Sequence, residues 1–275
     1  MSKQHIKRGN TVKRVKILNV PIDNLRMSEL LEKLQYGGVV FTPNVDHVMK
    51  LQKDREFARV YQEADYRVCD SQLLMYAARF LGEPLKEKVS GSDLFPAFYH
   101  RYSHDPQVKI FLLGGLPEVA EMARQNINRQ VGREMVIDSY SPALGFENDV
   151  LECQKIIDLI NNSGATVLAV GLGAPKQEKW IAYYRSQLTN IKTYFAIGAT
   201  INFEAGSLSR APKWMSLSGL EWLYRLLLEP KRLWKRYLVE DLPFFYLILQ
   251  QKLNQRFKKN LSYKQQLFKS VKSWF

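Results

Sequence analysis

Up to about residue 206 this chain alternates short apolar runs with helical patterns, and that alternation admits few folds. The runs Val15–Val20, Val39–Thr42, Tyr66–Val68, Lys109–Leu113, Met135–Ser139, Thr166–Val170 and Thr193–Ile197 are rich in β-branched and aliphatic residues and predict strands. Between them, Met27–Gln35, Asp46–Ala64, Ser71–Phe80, Ser92–Tyr102, Pro117–Gln130, Asp149–Asn161 and Gln177–Leu188 carry helical spacing. Strands separated by helices of this length predict an α/β domain, a mostly parallel sheet covered by helices on both faces. After residue 206 the strands stop. A helix from Pro212 to about Leu228 is predicted, broken at Glu229-Pro230, then one from Lys231 to about Glu240 and one from Phe244 to about Lys259. The predicted organisation is therefore a core over residues 1–205 and a helical C-terminal appendage over 206–275.

One stretch carries more chemistry than the rest. The run Thr166–Val170 feeds into Gly171-Leu172-Gly173-Ala174-Pro175-Lys176-Gln177-Glu178. Gly171 and Gly173 allow a sharp turn, and Pro175 suits the start of a helix. Strand, glycine turn and helix N-terminus together point N–H groups at an anion. Glycines alone fit any βα turn. The polar Lys176-Gln177-Glu178 set at the mouth of an apolar strand shifts the reading toward a phosphate or sugar site.

In open α/β sheets, ligands bind beyond the carboxyl ends of the strands. Thr42-Pro43-Asn44, Cys69-Asp70-Ser71, Gly114-Gly115, Gly171 to Gln177 and Gly198-Ala199-Thr200 all fall at that edge. Their recurrence predicts a ligand groove. Asp70 is the candidate general base, although an N-cap aspartate is locally as good a reading. His47 at a helix start suits a surface or capping role. His100 and His104 have no third partner for a metal. Gly114-Gly115 matches neither the P-loop nor the dinucleotide fingerprint. No Asp-x-Asp occurs, so if the chain is a nucleotide-sugar enzyme, it would stabilise its leaving diphosphate with cationic side chains and backbone N–H groups instead of a metal.

Charge is concentrated at the C-terminal end. Residues 206–275 hold fourteen Lys/Arg against four Asp/Glu, a net +10 of the whole chain's +13, and four of the five tryptophans, Trp214, Trp222, Trp234 and Trp274. Cations interleaved with aromatics suit either nucleic acid or an anionic membrane surface. The density of Trp and Leu favours lipid. Only two cysteines occur, Cys69 and Cys153, which predicts a reducing compartment. The basic N-terminus lacks an apolar signal region and no run is long enough to span a bilayer, so the expected location is cytoplasmic.

The motifs above occur in a recognisable order. Thr42-Pro43-Asn44, Ala64-Asp65 through Asp70, Val89-Ser90-Gly91-Ser92-Asp93-Leu94, Phe111 to Gly115 and Gly171 to Glu178 are followed by Arg210-Ala211-Pro212 and Gly219-Leu220-Glu221-Trp222-Leu223-Tyr224-Arg225-Leu226. From about residue 15 to about 245 the chain resembles the WecG/TagA/CpsF glycosyltransferases. The resemblance implies a Rossmann-like α/β core whose helical appendage completes the active site and docks on the membrane. It implies inverting transfer of a hexose or N-acetylhexosamine from a UDP-sugar to a polyprenyl-diphosphate-linked sugar, on the inner face of the plasma membrane. Members of the family include N-acetylmannosaminyltransferases of wall teichoic acid synthesis, and others serve capsule or exopolysaccharide synthesis.

Carried over residue by residue, the resemblance makes Asp70 the base. It sets Thr42 and Asn44 near the sugar and makes Gln177 a substrate contact. Arg225 and Arg232 become cations for the diphosphate. Lys88, Gly114, Gly115, Gly171, Gly173, Lys176 and Arg210 complete the candidate substrate-binding set, with no metal. Lys88 stands where the pattern has arginine, which keeps the charge and loses the bidentate fork. Ser71 stands where many members have glycine. The competing readings are a basic nucleic-acid-binding α/β protein and a nucleotide-binding regulator without catalysis. Retention of Asp70 and of Pro175 to Glu178 argues against the regulator. The expected partners are thus UDP-sugar, lipid-linked acceptor and anionic membrane, without nucleic acid. Oligomeric state, homo-oligomer included, is left open.

Overall fold

A computed structural model describes the backbone of residues 12–272 and the side chains of residues 12–258. Trp274 lies outside the described residues. The strands are β1 (Arg14–Ile17), β2 (Val20–Asp23), β3 (Gly38–Phe41), β4 (Tyr66–Arg67), β5 (Ile110–Gly114), β6 (Val136–Tyr140), β7 (Val167–Gly171) and β8 (Thr193–Ala196). Six of them form a parallel sheet in the order β4-β3-β8-β7-β5-β6. Alternate residues of its strands feed two apolar clusters. Val40, Leu112, Ala169 and Phe195 pack against the helices Gly91–Arg101 and Pro117–Val131. Phe41, Phe111, Leu168 and Val170 pack against Arg55–Gln62, Val150–Ser163 and Lys176–Tyr184. Both faces are thus covered, as the near-continuous apolar strands require. This is the Rossmann-like α/β architecture that the alternation predicts.

Two local predictions are corrected. The single strand expected over Val15–Val20 is an antiparallel hairpin, β1 with β2, outside the main sheet. Its turn places Leu18 and Asn19 at φ 47° and 68°, the left-handed pair that a two-residue hairpin turn requires. Leucine accepts that strain because its side chain is buried. Its N–H donates to Gln251 Oε1 at 2.9 Å and its carbonyl accepts from Gln52 Nε2 at 2.9 Å. The helix expected over Asp46–Ala64 is two, Val45–Lys53 and Arg55–Gln62, because the Asp54 carboxylate accepts from Phe57 N at 2.9 Å and caps a new start.

The described residues of the appendage form helices only, in shorter pieces than predicted up to Glu240 and in one longer helix after it. Helices run over Lys213–Ser218, Glu221–Leu228 and Pro230–Lys235, then a π-helical turn over Arg236–Glu240 and the long helix Pro243–Lys272. Gly219, at φ 81°, ends the first. The appendage is tied into the core by a third cluster. Phe244 and Ile248 are buried among Val15, Ile17, Leu74 and Leu81. Gln251 adds a bond from its Nε2 to Lys16 O at 3.0 Å.

Candidate active site

The chain leaves β5 for β6 on one side and leaves β7 for β8 on the other. The helices that follow these two strands lie on opposite faces. The ends of β5 and β7 therefore form the topological switch point, where a ligand crevice is expected. Gly114-Gly115 and Gly171 to Gly173 sit there. Packing alone explains two of these glycines. A Cβ on Gly114 would lie 2.5 Å from Gly171 O, and one on Gly171 would lie 2.8 Å from Gly198 O. Gln177 is buried beneath them. Its Oε1 accepts from Gly173 N at 3.2 Å and Gly198 N at 3.0 Å, while its Nε2 donates to Glu178 Oε1 at 2.8 Å. The glutamine ties the β7 loop to the β8 loop. Glu178 is fully buried, and burial pushes its carboxyl up to about 7. Lys176 pairs with Glu147 at 2.6 Å beside the Phe146 ring.

A concavity lies where the appendage closes over the β3 and β4 ends. This cavity, about 430 Å³, is lined by Asn44, Asp70 and Lys88 from the core and by Glu221, Trp222, Arg225, Arg236 and Tyr237 from the appendage, among others. Asp70 is not the helix cap. Ser71 takes that place, its Oγ accepting from Leu74 N at 3.4 Å, and among the described residues no hydrogen bond reaches the Asp70 carboxylate. The capping alternative is thereby removed. The carboxyl is held well above the ordinary carboxylate range, first by burial, then by Glu221. Lys88 and Arg225 oppose that rise, and Asp93 adds to it. A base that binds its proton more tightly than an ordinary carboxylate is a better proton acceptor once ionised.

Lys88 spans the joint between core and appendage. Its Nζ donates to Ser216 Oγ at 2.7 Å and lies 3.8 Å from Glu221 Oε2. Asn44 caps the helix Val45–Lys53 by accepting from His47 N at 3.1 Å, and it also lines the cavity. Thr42, two residues before Asn44, is buried with its Oγ1 3.4 Å from where a Gly91 Cβ would stand, and it is not among the residues lining the cavity. His47 is neither surface nor cap. It is buried against the Tyr61 hydroxyl at 2.7 Å, and burial pushes its imidazole down to about 3, so it stays neutral.

Arg225 lines this cavity and also a neighbouring one of about 280 Å³ that includes Arg210, Ser92 and Tyr224. Its Nε is buried without a partner among the described residues. Arg210 is braced by Asp93 at 2.9 Å and by Ser92 O. Arg232 stands apart: exposed, paired with Glu229, and lining neither cavity. The position toward the cavity belongs instead to Arg236, 3.2 Å from the buried Asp46. Nearby Asp241 is pushed up to about 7 by burial and by Asp46. Sequence reasoning missed Arg236, Tyr237 and Glu221 as site residues. For the first two the missing signal was the π-helical turn, a wide turn frequent at functional sites. Glu221 lay inside a quoted motif. Among the described residues no acidic, His or Cys cluster could hold a metal ion, and no helix is long and apolar enough to cross a membrane.

A Rossmann-like sheet with a carboxylate opening into a cation-lined cavity is an arrangement that suits a group-transferring enzyme. The sequence model of the Glycosyl transferase WecG/TagA/CpsF family matches residues 15–258, and the chain belongs to that family. It is similar to the N-acetylglucosaminyldiphosphoundecaprenol N-acetyl-beta-D-mannosaminyltransferases of Staphylococcus aureus strains MRSA252 and NCTC 8325. Each is 27% identical over 246 residues, covering 86% of this chain and 92% of the relative.

Proposed function

We propose that the protein transfers a hexose or N-acetylhexosamine from a UDP-sugar to a polyprenyl-diphosphate-linked sugar, with inversion, at the inner face of the plasma membrane, in cell-surface polysaccharide synthesis. The observation that carries this reading is the Asp70 carboxylate, without a hydrogen bond among the described residues and lining a cavity that Lys88 and Arg225 share. Asp70 takes the proton of the acceptor hydroxyl as that oxygen bonds to the anomeric carbon of the donor. The bond from that carbon to the β-phosphate oxygen breaks on the opposite face, and UDP leaves with the electron pair. The nucleotide is assigned to the β5/β7 switch crevice, and Arg225 with Lys88 to the developing phosphate charge. The acceptor class follows the relatives, whose names specify a diphosphoundecaprenol-linked sugar.

The direct test is a screen of UDP-sugars against lipid-diphosphate-linked sugars, reading released UDP together with product. Release of UDP without a glycosylated product for every pair would overturn the reading. Transfer is expected to need no divalent metal, so turnover in excess EDTA should match the untreated rate. A complete loss that magnesium or manganese restores would refute this. Membrane docking is assigned to the exposed appendage residues Trp214, Leu217, Leu227 and Trp234 and the exposed cations Lys213, Lys231, Arg232 and Lys235. Phe244 is buried in the third cluster and is not among these residues.

The pH dependence follows from the neighbours of Asp70. Only the ionised carboxylate accepts a proton, so activity is lost as pH falls through its raised pKa. The acid limb therefore lies above that of an ordinary carboxylate. Glu221→Gln removes the next largest influence after burial and is expected to move that limb to lower pH, whereas Lys88→Met moves it higher. Profiles of log kcat/KM that shift in the opposite directions would exclude Asp70 as the base.

A further inference from the structure

We infer that the outer part of the appendage cavity, with the apolar rail leading from it, holds the isoprenoid chain of the acceptor as an extended prenyl ligand. The inference rests on the acceptor class proposed above. The cavity has two chemically distinct parts. Asp70, Lys88, Glu221 and Arg225 influence one another and mark the polar part. Trp222 and Tyr237, packed edge to face at 5.9 Å, with Leu238, Leu242 and Phe245, form the apolar part. The last three are 47%, 54% and 57% exposed, so they stand at the rim.

From that rim the apolar surface continues along one helix. Phe245, Leu249, Leu253 and Phe257 follow at four-residue intervals on the helix Pro243–Lys272, and all four are exposed. Side chains four apart share a helix face, so these four form a stripe about 18 Å long at 1.5 Å per residue. On that helix the core takes up Phe244 and Ile248, which leaves this stripe unpartnered by the core. A ligand that matches the whole arrangement has a charged head with a hydroxyl-bearing sugar at one end and a long flexible hydrocarbon at the other. A prenyl diphosphate-linked sugar is such a molecule. Continuity with the cavity that holds the candidate base is what selects this occupant over an acyl chain of the bilayer. The slot would place the reacting sugar by holding the first isoprene units, a device that a purely interfacial anchor lacks.

The test uses the full-length chain in buffer without detergent or vesicles. Titration calorimetry compares farnesyl diphosphate with inorganic diphosphate. Farnesyl diphosphate is expected to bind roughly 30-fold tighter, the scale set by burying a few methylene groups. In the double variant Leu242→Ser, Phe245→Ser the preference should fall to about threefold or less, since those side chains carry part of that burial. A second measurement uses the unmodified chain alone. The kcat/KM for a farnesyl-diphosphate-linked sugar should exceed that for the same sugar diphosphate bearing a methyl group. Equal binding of the two diphosphates, or a preference that survives the double variant, overturns the slot. So does a double variant that loses vesicle flotation yet keeps the farnesyl preference, because the strip then faces the bilayer. Equal transfer to both acceptors overturns the slot but leaves the sugar transfer standing. Absence of transfer to any acceptor removes the enzymatic reading, while the binding comparison still decides the slot.

Discussion

Asp70→Asn is expected to lower kcat by ~10²–10⁴-fold, the usual contribution of a positioned general base, while leaving the affinity for UDP nearly intact. The same substitution should not cost stability. The folded state holds the Asp70 proton more tightly than the unfolded chain does. Stability is therefore lost as pH rises from the ordinary carboxylate range through the raised pKa. Once ionised above its raised pKa the carboxylate works against folding, and an uncharged amide of the same shape removes that opposition. Melting temperature should rise in the variant while turnover collapses, the pattern of a site that gives up stability for function. A near-wild-type kcat would remove Asp70 from the chemistry. A large drop in melting temperature would show instead that the carboxylate is a structural group, and would make the kinetic loss uninterpretable.

Much of this site was legible in the sequence because the strand ends are local features. Apolar runs followed by Asp70, by Gly114-Gly115 and by Gly171-Gly173 mark one edge of a parallel sheet, and all three fall at that edge. What each residue does there was not legible, since it depends on partners far along the chain. Ser71 takes the cap and leaves Asp70 free. Gln177 spends its amide on Gly173, Gly198 and Glu178, and Lys176 meets Glu147. These are tertiary contacts, and local propensity carries no record of them. The hairpin was missed for a related reason. Leu18 is a poor turn residue by itself and is held by Gln52 and by Gln251, more than two hundred residues away. In the appendage the sequence marks a break at Glu229-Pro230, but no proline or glycine announces the wide turn over Arg236–Glu240 that carries Arg236 and Tyr237 to the cavity.

Arg225→Ala is expected to lower kcat by ~10²–10³-fold even with a short, soluble acceptor, the cost of losing one preorganised group aimed at developing charge. Arg232→Ala should change it by about threefold or less, as expected of an exposed cation paired, among the described residues, with Glu229. The soluble acceptor takes membrane docking out of the comparison, so any difference reports on the site itself. The alternative of cutting the chain after Gly206 is a harsher experiment than the sequence suggests. It removes Phe244 and Ile248 from the cluster that holds the hairpin. Large-to-small changes at such positions cost about 2–5 kcal/mol each, against a total stability of about 5–15 kcal/mol. The truncated chain is therefore expected to melt far below the full protein, and its inactivity would prove little about the arginines. The paired substitutions avoid that ambiguity, because Arg225 and Arg232 both lie outside all three apolar clusters. Equal losses in the two variants would mean that overall appendage charge matters and position does not. Wild-type rates in both would reduce the appendage to an anchor and leave the core to stabilise the leaving group alone.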